Sequence, residues 1–174
     1  DAVPQVVLNQ LFKLTQLQDT FSVNSVALVD GVPKVLSVPE LINYYIDHQI
    51  DVIQRRTKYR LDKAESRLHI VEGLLLALKK IDQIIKVIKA SKDVDTARKS
   101  LMTKFKLSEV QASHILDMPL RRLTALEMEK LEDEKKELKE TIKELAAILK
   151  SRSKQNTILI EELEAITDKF GDER

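Results

Sequence analysis

The chain has 174 residues, 43% hydrophobic and 33% charged, with three glycines, four prolines and no cysteine. That length suits one domain, or one elongated domain with a small appendage, and so little Gly and Pro favours long helices over an all-β fold. A formal net charge of +1 makes the chain no polycation, so bulk charge does not argue for nucleic acid, and the lack of cysteine excludes a disulfide framework and thiolate metal sites.

Aromatic residues make up 4%, too few for a core built on ring packing. No apolar run is longer than that from Leu74 to Leu78, far short of the ~20 residues that span a bilayer. The N-terminus has no basic region followed by an apolar block, so no signal peptide is visible. A start at Asp1 and an end in Gly171-Asp172-Glu173-Arg174 read as a piece of a longer protein.

Residues 1–39 stand apart from the rest. Val6, Val7, Leu11, Leu14 and Leu17 predict a short amphipathic helix from Gln5 to Gln18. Two strands are expected over 21–29 and 34–38, with Asp30-Gly31 as the turn and Pro33 closing it. A lone hairpin is marginal in water and must pack on something.

Pro39-Glu40 opens a helix. Ile46, Ile50, Ile53, Thr57, Leu61, Ala64, Leu68, Val71, Leu75, Leu78, Ile81, Ile85 and Ile88 then follow in steps of three and four. Thr57 alone breaks the apolar series, and only Gly73 weakens it. One helix over 40–90 would be roughly 75 Å long, which calls for a coiled coil.

Residues 91–123 lie between two long patterns. Asp93 is placed to cap a helix through Lys104, and Ser108 a second through Asp117; Pro119 suits the first turn of a third. About 33 residues rarely bury enough surface to fold alone without staples. Self-association at this tip is the economical answer, most simply two-fold. Leu116, Met118, Leu120, Leu123 and Leu126 form the expected dimer patch.

The returning pattern, 124–174, has its seam at Leu131, Leu138, Ile142, Leu145 and Leu149, interrupted by Lys135. Ser151-Arg152-Ser153 marks a break. Leu159, Leu163, Ile166 and Phe170 resume the spacing before Gly171, a C-cap region. Two arms of matched length predict an antiparallel intramolecular coiled coil with both ends near the 1–39 module. The fold class is therefore mainly α: a long antiparallel coiled-coil hairpin, a small helical dimerisation tip and a short β-hairpin module at its base.

Covalent chemistry has no visible seat, and no catalytic, cofactor-binding or metal-ligating residue is assigned. His48, His69 and His114 are too scattered for a ligand set, no Gly-rich phosphate loop occurs, and Tyr44, Tyr45 and Tyr59 read as packing residues. The stretch 128–145 reads as a solvated helix face. The cluster Arg55, Arg56, Lys58, Arg60, Lys63 and Arg67 has two readings. One is a solvated face balanced by Asp51, Asp62 and Glu65. The other is a weakly attractive wall for DNA, with Arg55, Arg56, Lys58 and Arg60 facing the duplex through charge and without base readout. Arg121 and Arg122 fit carboxylates across a subunit contact.

Several segments, in order over the whole chain, carry a resemblance. Val7-Leu8-Asn9-Gln10-Leu11-Phe12, Leu28-Val29-Asp30-Gly31-Val32-Pro33, His48-Gln49-Ile50-Asp51-Val52-Ile53, His69-Ile70-Val71-Glu72-Gly73-Leu74, Leu116 to Glu127 and Phe170-Gly171-Asp172-Glu173-Arg174 are similar to the A subunits of DNA gyrase, a type IIA topoisomerase family. Pro119 stands where many gyrases carry Gln, a benign change at a helix start. The resemblance implies a tower remnant, a coiled-coil arm and the exit gate of an ATP-dependent, DNA-supercoiling homodimer. The catalytic tyrosine would lie upstream of this chain. ATP and Mg2+ would be used through the partner B subunit of an A2B2 holoenzyme, and the location would be cytoplasmic, with the nucleoid. The A subunit of topoisomerase IV and a non-enzymatic coiled-coil scaffold are the alternatives.

Overall fold

The computed structural model describes residues 3–119 and 125–172, with side chains for 3–119 and 127–172. The chain divides into two compact units, 1–47 and 48–174.

In the first unit, α1 spans Pro4–Leu14, with its proline in the first turn where a missing N–H costs nothing. It ends short of the expected Gln18. Thr15 turns extended, its backbone N–H and its hydroxyl both bonding the Leu11 carbonyl. Ser and Thr hydroxyls compete in this way with helix continuation.

Strands β1 (Val26–Val29) and β2 (Val32–Val35) pair antiparallel around Asp30 and Gly31, whose φ values of 53° and 79° give the doubly left-handed turn suited to strand twist. The strands are shorter than predicted, and Pro33 lies inside β2, opposite Leu28, and does not close the turn. The alternation of antiparallel pairs explains this. Leu36 N–H bonds Ser25 O at 2.9 Å, so Leu28 and Pro33, three pairs along, fall in a non-hydrogen-bonded pair where no ladder donor is needed. Ser37 then starts α2 (Val38–Lys79): its N–H and hydroxyl both donate to the Glu40 carboxylate, at 2.8 and 2.7 Å, and hold that carboxyl below its ordinary range.

In the second unit, α2 buries Ile50, Ile53, Thr57, Ala64, Val71, Leu75 and Leu78 of the predicted seam, while Leu61 and Leu68 are only half-buried. The expected single helix to residue 90 is interrupted at Lys80 (φ −121°, ψ 30°), and α3 (Ile81–Ala90) begins anew. No Pro or Gly causes the break. It follows the packing: past Lys80 the buried residue is Ile84, 1% exposed, while Ile81, Ile85 and Ile88 of the expected seam are only half-buried.

Ile84 enters a core shared with Leu74 and Ala77 of α2, Leu101 of α4 (Val94–Phe105), Leu107, and Ala112 and Ile115 of α5 (Glu109–Leu116). Both caps stand where the sequence puts them. The Asp93 carboxylate accepts from Thr96 N–H, and Ser108 and Gln111 form a reciprocal capping box. The tip is thus no freestanding unit of about 33 residues in need of a partner for its core; the end of α2 and α3 complete that core.

One contact fixes the tip on the arm. Gln111 lies against Gly73, where an added Cβ would come within 2.7 Å of Gln111 Cγ. From there its amide donates to the His69 carbonyl at 2.7 Å, while His69 Nε2 and Ser108 Oγ stand 2.7 Å apart.

The return consists of α6 (Ala125–Lys150) and α7 (Arg152–Phe170). Cross-links show the antiparallel sense: Gln54 to Gln155, Arg67 to Glu134, Glu72 to Lys135, and Lys79 to Glu132. The break falls at Ser151, as predicted. Gln155, 2% exposed, donates to the Ile148 and Leu149 carbonyls beside the break and accepts from Gln54 Nε2 at 2.9 Å. Lys135, which interrupts the seam, bonds Glu72 at 2.9 Å. Leu159 is buried, but Ile166 and Phe170 are exposed, so the resumed seam ends early. Gly171 caps α7 in an extended conformation and not the left-handed one usual for glycine.

Gly73→Ala tests the close approach. The substitution gains about 0.5–1 kcal/mol of helix propensity but loses about 1–3 kcal/mol to overpacking. Urea unfolding is therefore expected to show a net loss, and an unchanged midpoint would mean Gln111 yields freely. Glu72 tests the arm pairing. Lys135 holds its carboxyl below the ordinary 4.5 against the opposing effect of burial. A depressed carboxyl contributes stability above its unfolded pKa and loses it as pH falls through the folded value. Glu72→Gln is expected to flatten the stability profile on the acid side of pH 4.5, measured by urea midpoints at successive pH values.

Candidate gate surface and basic faces

Leu116 ends α5, and Met118 follows two residues on, after Asp117. Both are half-buried and pack on the edge of the shared core. They line a groove of about 450 Å³ with Ile81, Ile84, Ile85, Ile88 and Ile115, and Lys89 supplies the one charge among its described lining residues. An apolar concavity of this kind, floored by a finished core, accepts another apolar surface without exposing that core. Leu120, Leu123 and Leu126, the rest of the expected patch, lie outside the residues whose side chains are described, as do Arg121 and Arg122.

The four basic residues expected to face DNA do not share one face. At about 100° per residue, Arg56 and Arg60 stand on one strip of α2 with Lys63 and Arg67, while Arg55 and Lys58 point elsewhere. Arg55 pairs with Asp51 at 2.7 Å in an exposed i,i+4 bridge. Arg56 bonds Glu162 on α7. Arg67 grips both oxygens of Glu134, at 2.6 and 2.9 Å, which holds its guanidinium above its ordinary pKa. Lys58 and Arg60 are exposed and make no ion pair with any described residue. Half of this cluster therefore ties the arms together or braces its own helix.

Periodicity alone passes over Gln111, Gln155 and Glu72. Each is a polar residue in or beside an apolar seam, and that position is the available signal: a buried amide or carboxylate needs named partners. Among the described residues no three His, Cys, Asp or Glu side chains converge as a metal-ligand set, and no helix is long and apolar enough to cross a membrane.

Residues 1–164 match the family model for the A subunit of DNA gyrase/topoisomerase IV. The DNA gyrase A subunit of Ureaplasma parvum serovar 3 is 51% identical over 174 residues, all of this chain and 21% of that protein. Its counterpart from Fibrobacter succinogenes is 48% identical over 174 residues, again all of this chain and 19% of the relative. That of Mycoplasma genitalium is 49% identical over the same span and 21% of its own length. The chain thus covers about a fifth of the relatives it matches. On this agreement across its length, the chain belongs to the family of DNA gyrase and topoisomerase IV A subunits.

Proposed function

We propose that this chain is the coiled-coil arm and exit gate of a gyrase-type A subunit. Two copies pair through their tips, and a transported duplex leaves when the pair opens. One observation carries the reading: an apolar groove bearing Leu116 and Met118 sits on a tip whose core is already complete. A gate must open without unfolding, so each half needs a core of its own and a moderate patch for its partner. A tip that depended on the partner for its core would unfold at every opening.

On this reading the arm does mechanical work, in the cytoplasm at the nucleoid. The salt bridges and the Gln54–Gln155 amide bond between α2 and the return helices keep the two strands of the arm in register while the tips part. Cleavage chemistry belongs to regions of the enzyme outside this chain. ATP and Mg2+ act through a B subunit in an A2B2 assembly. Of the residues expected to face DNA, the exposed Arg60 offers sequence-independent attraction to a passing duplex, whereas Lys58 stands on another face.

Sedimentation equilibrium of the chain over a wide concentration range tests the pairing, beside Met118→Glu. The wild-type chain is expected to dimerise. The variant, its helicity checked by circular dichroism, is expected to dissociate at least about tenfold more readily, ~1.4 kcal/mol. A dimer of undiminished strength in the variant would place the contact elsewhere.

A further inference from the structure

Over residues 133–144 the charges of α6 separate by face, although Glu132, one turn before Lys136, falls on the lysine strip. At about 100° per residue, Lys135, Lys136, Lys139 and Lys143 fall on one strip, and Asp133, Glu137, Glu140 and Glu144 on the next. Like charges then stand four residues apart at Lys135 and Lys139, at Lys139 and Lys143, and at Glu140 and Glu144. Each such pair weakens a helix, while Asp133 with Lys136 and Lys136 with Glu140 offset part of that cost.

The lysine strip opens onto a groove. Lys135, Lys136 and Lys139 line about 570 Å³ of space between α6 and α2, together with Lys79, Lys80 and the apolar Leu75 and Leu76. Two carboxylates share the lining. Glu72 stands 2.9 Å from Lys135 and 3.9 Å from Lys139, and Glu132 stands 3.4 Å from Lys79. At the edge Lys136 meets Asp133 at 3.1 Å, and Lys80 lies 6.0 Å from the Phe105 ring centre. Ammonium groups outnumber carboxylates in the lining, and Lys143 prolongs the row beyond it.

The chemistry of the row narrows its ligand. Lys135, Lys139 and Lys143 recur every four residues, roughly 6 Å along the axis at 1.5 Å per residue. The groove holds no arginine, so it offers point charges and no planar fork for a carboxylate. Evenly spaced point charges suit a linear array of anions that slides past. We propose that this groove binds phosphate groups in a row, the chemistry of a phosphodiester backbone. The phosphate site stands on the lysines; a duplex as its occupant rests on the exit-gate reading.

Lysine acetylation footprinting of the chain tests it, with a 30-base-pair duplex in one arm and inorganic tripolyphosphate in another. With the duplex, Lys79, Lys135, Lys136, Lys139 and Lys143 are expected to react several-fold more slowly, while Lys99 and Lys104 on α4 are unchanged. The protection should fade between about 50 and 200 mM salt as released counterions lose their advantage. The double variant Lys136→Gln/Lys139→Gln, which leaves the apolar seams intact, should lose the protection of Lys135 and Lys143. Protection by tripolyphosphate but not by the duplex keeps the phosphate site and removes the duplex as occupant. Equal reaction of groove and α4 lysines with both anions overturns the proposal. Sedimentation of the same samples reads dimerisation separately, so an empty groove on an intact dimer would leave the gate standing.

Discussion

The close approach of Gln111 to Gly73 is the contact on which the second unit turns. A glycine in the interior of a helix costs about 0.5–1 kcal/mol relative to alanine, and Gly73 lies in the last third of the 42-residue α2. Here the missing side chain lets α5 come close enough for the Gln111 amide to reach the His69 carbonyl. The same residue closes the capping box with Ser108, so the cap of α5 and its docking on α2 are one arrangement. With α5 held there, Ala112 and Ile115 reach Leu74 and Ala77, and the arm must break at Lys80 to bring Ile84 into the same core. The bend follows from the docking, since no helix breaker stands at that position.

The arms follow a related rule: where a helix is interrupted, a polar side chain takes over the lost backbone bonds. At Ser151 the Leu149 carbonyl is met by the Gln155 amide, which also bonds the Ile148 carbonyl beside the Ser151 N–H and is tied in turn to Gln54 on the facing helix. At the seam the intruding Lys135 is met by Glu72. A buried or half-buried polar group is tolerable only when its partners are supplied, and both of these are supplied across the two arms. The amide bonds also fix the register, because a slip of one helix past the other would strand Gln155 in an apolar seam.

Much of this is legible in the chain. Steps of three and four find the seam from Ile50 to Leu78, the caps at Asp93 and Ser108 mark their helices, and Ser151 marks the break. Local rules fail where tertiary packing decides. The break at Lys80 has no local cause, and Pro33 fits its strand only once the pairing register is known. The tip looks too small to fold when its core is counted from 91–123 alone, whereas Leu74, Ala77 and Ile84 come from outside that span. Of the expected site, Leu116 and Met118 line one groove, whereas the basic cluster divides between bracing ion pairs and open charge. Counting positives along the sequence cannot separate these, since pairing partners such as Glu134 and Glu162 lie on the other arm.

On the proposed reading, a gate that opens repeatedly needs halves that stay folded when apart, which makes the shared core the central claim. Native-state hydrogen exchange tests it most directly, by comparing amides of α5 at Ala112 and Ile115 with those of α2 from Leu74 to Leu78 under conditions where the chain is monomeric. The account predicts that both sets open together, with one free energy and one response to denaturant. Early, independent exchange of α5 while α2 stays protected would show a tip that relies on its partner, and would contradict it.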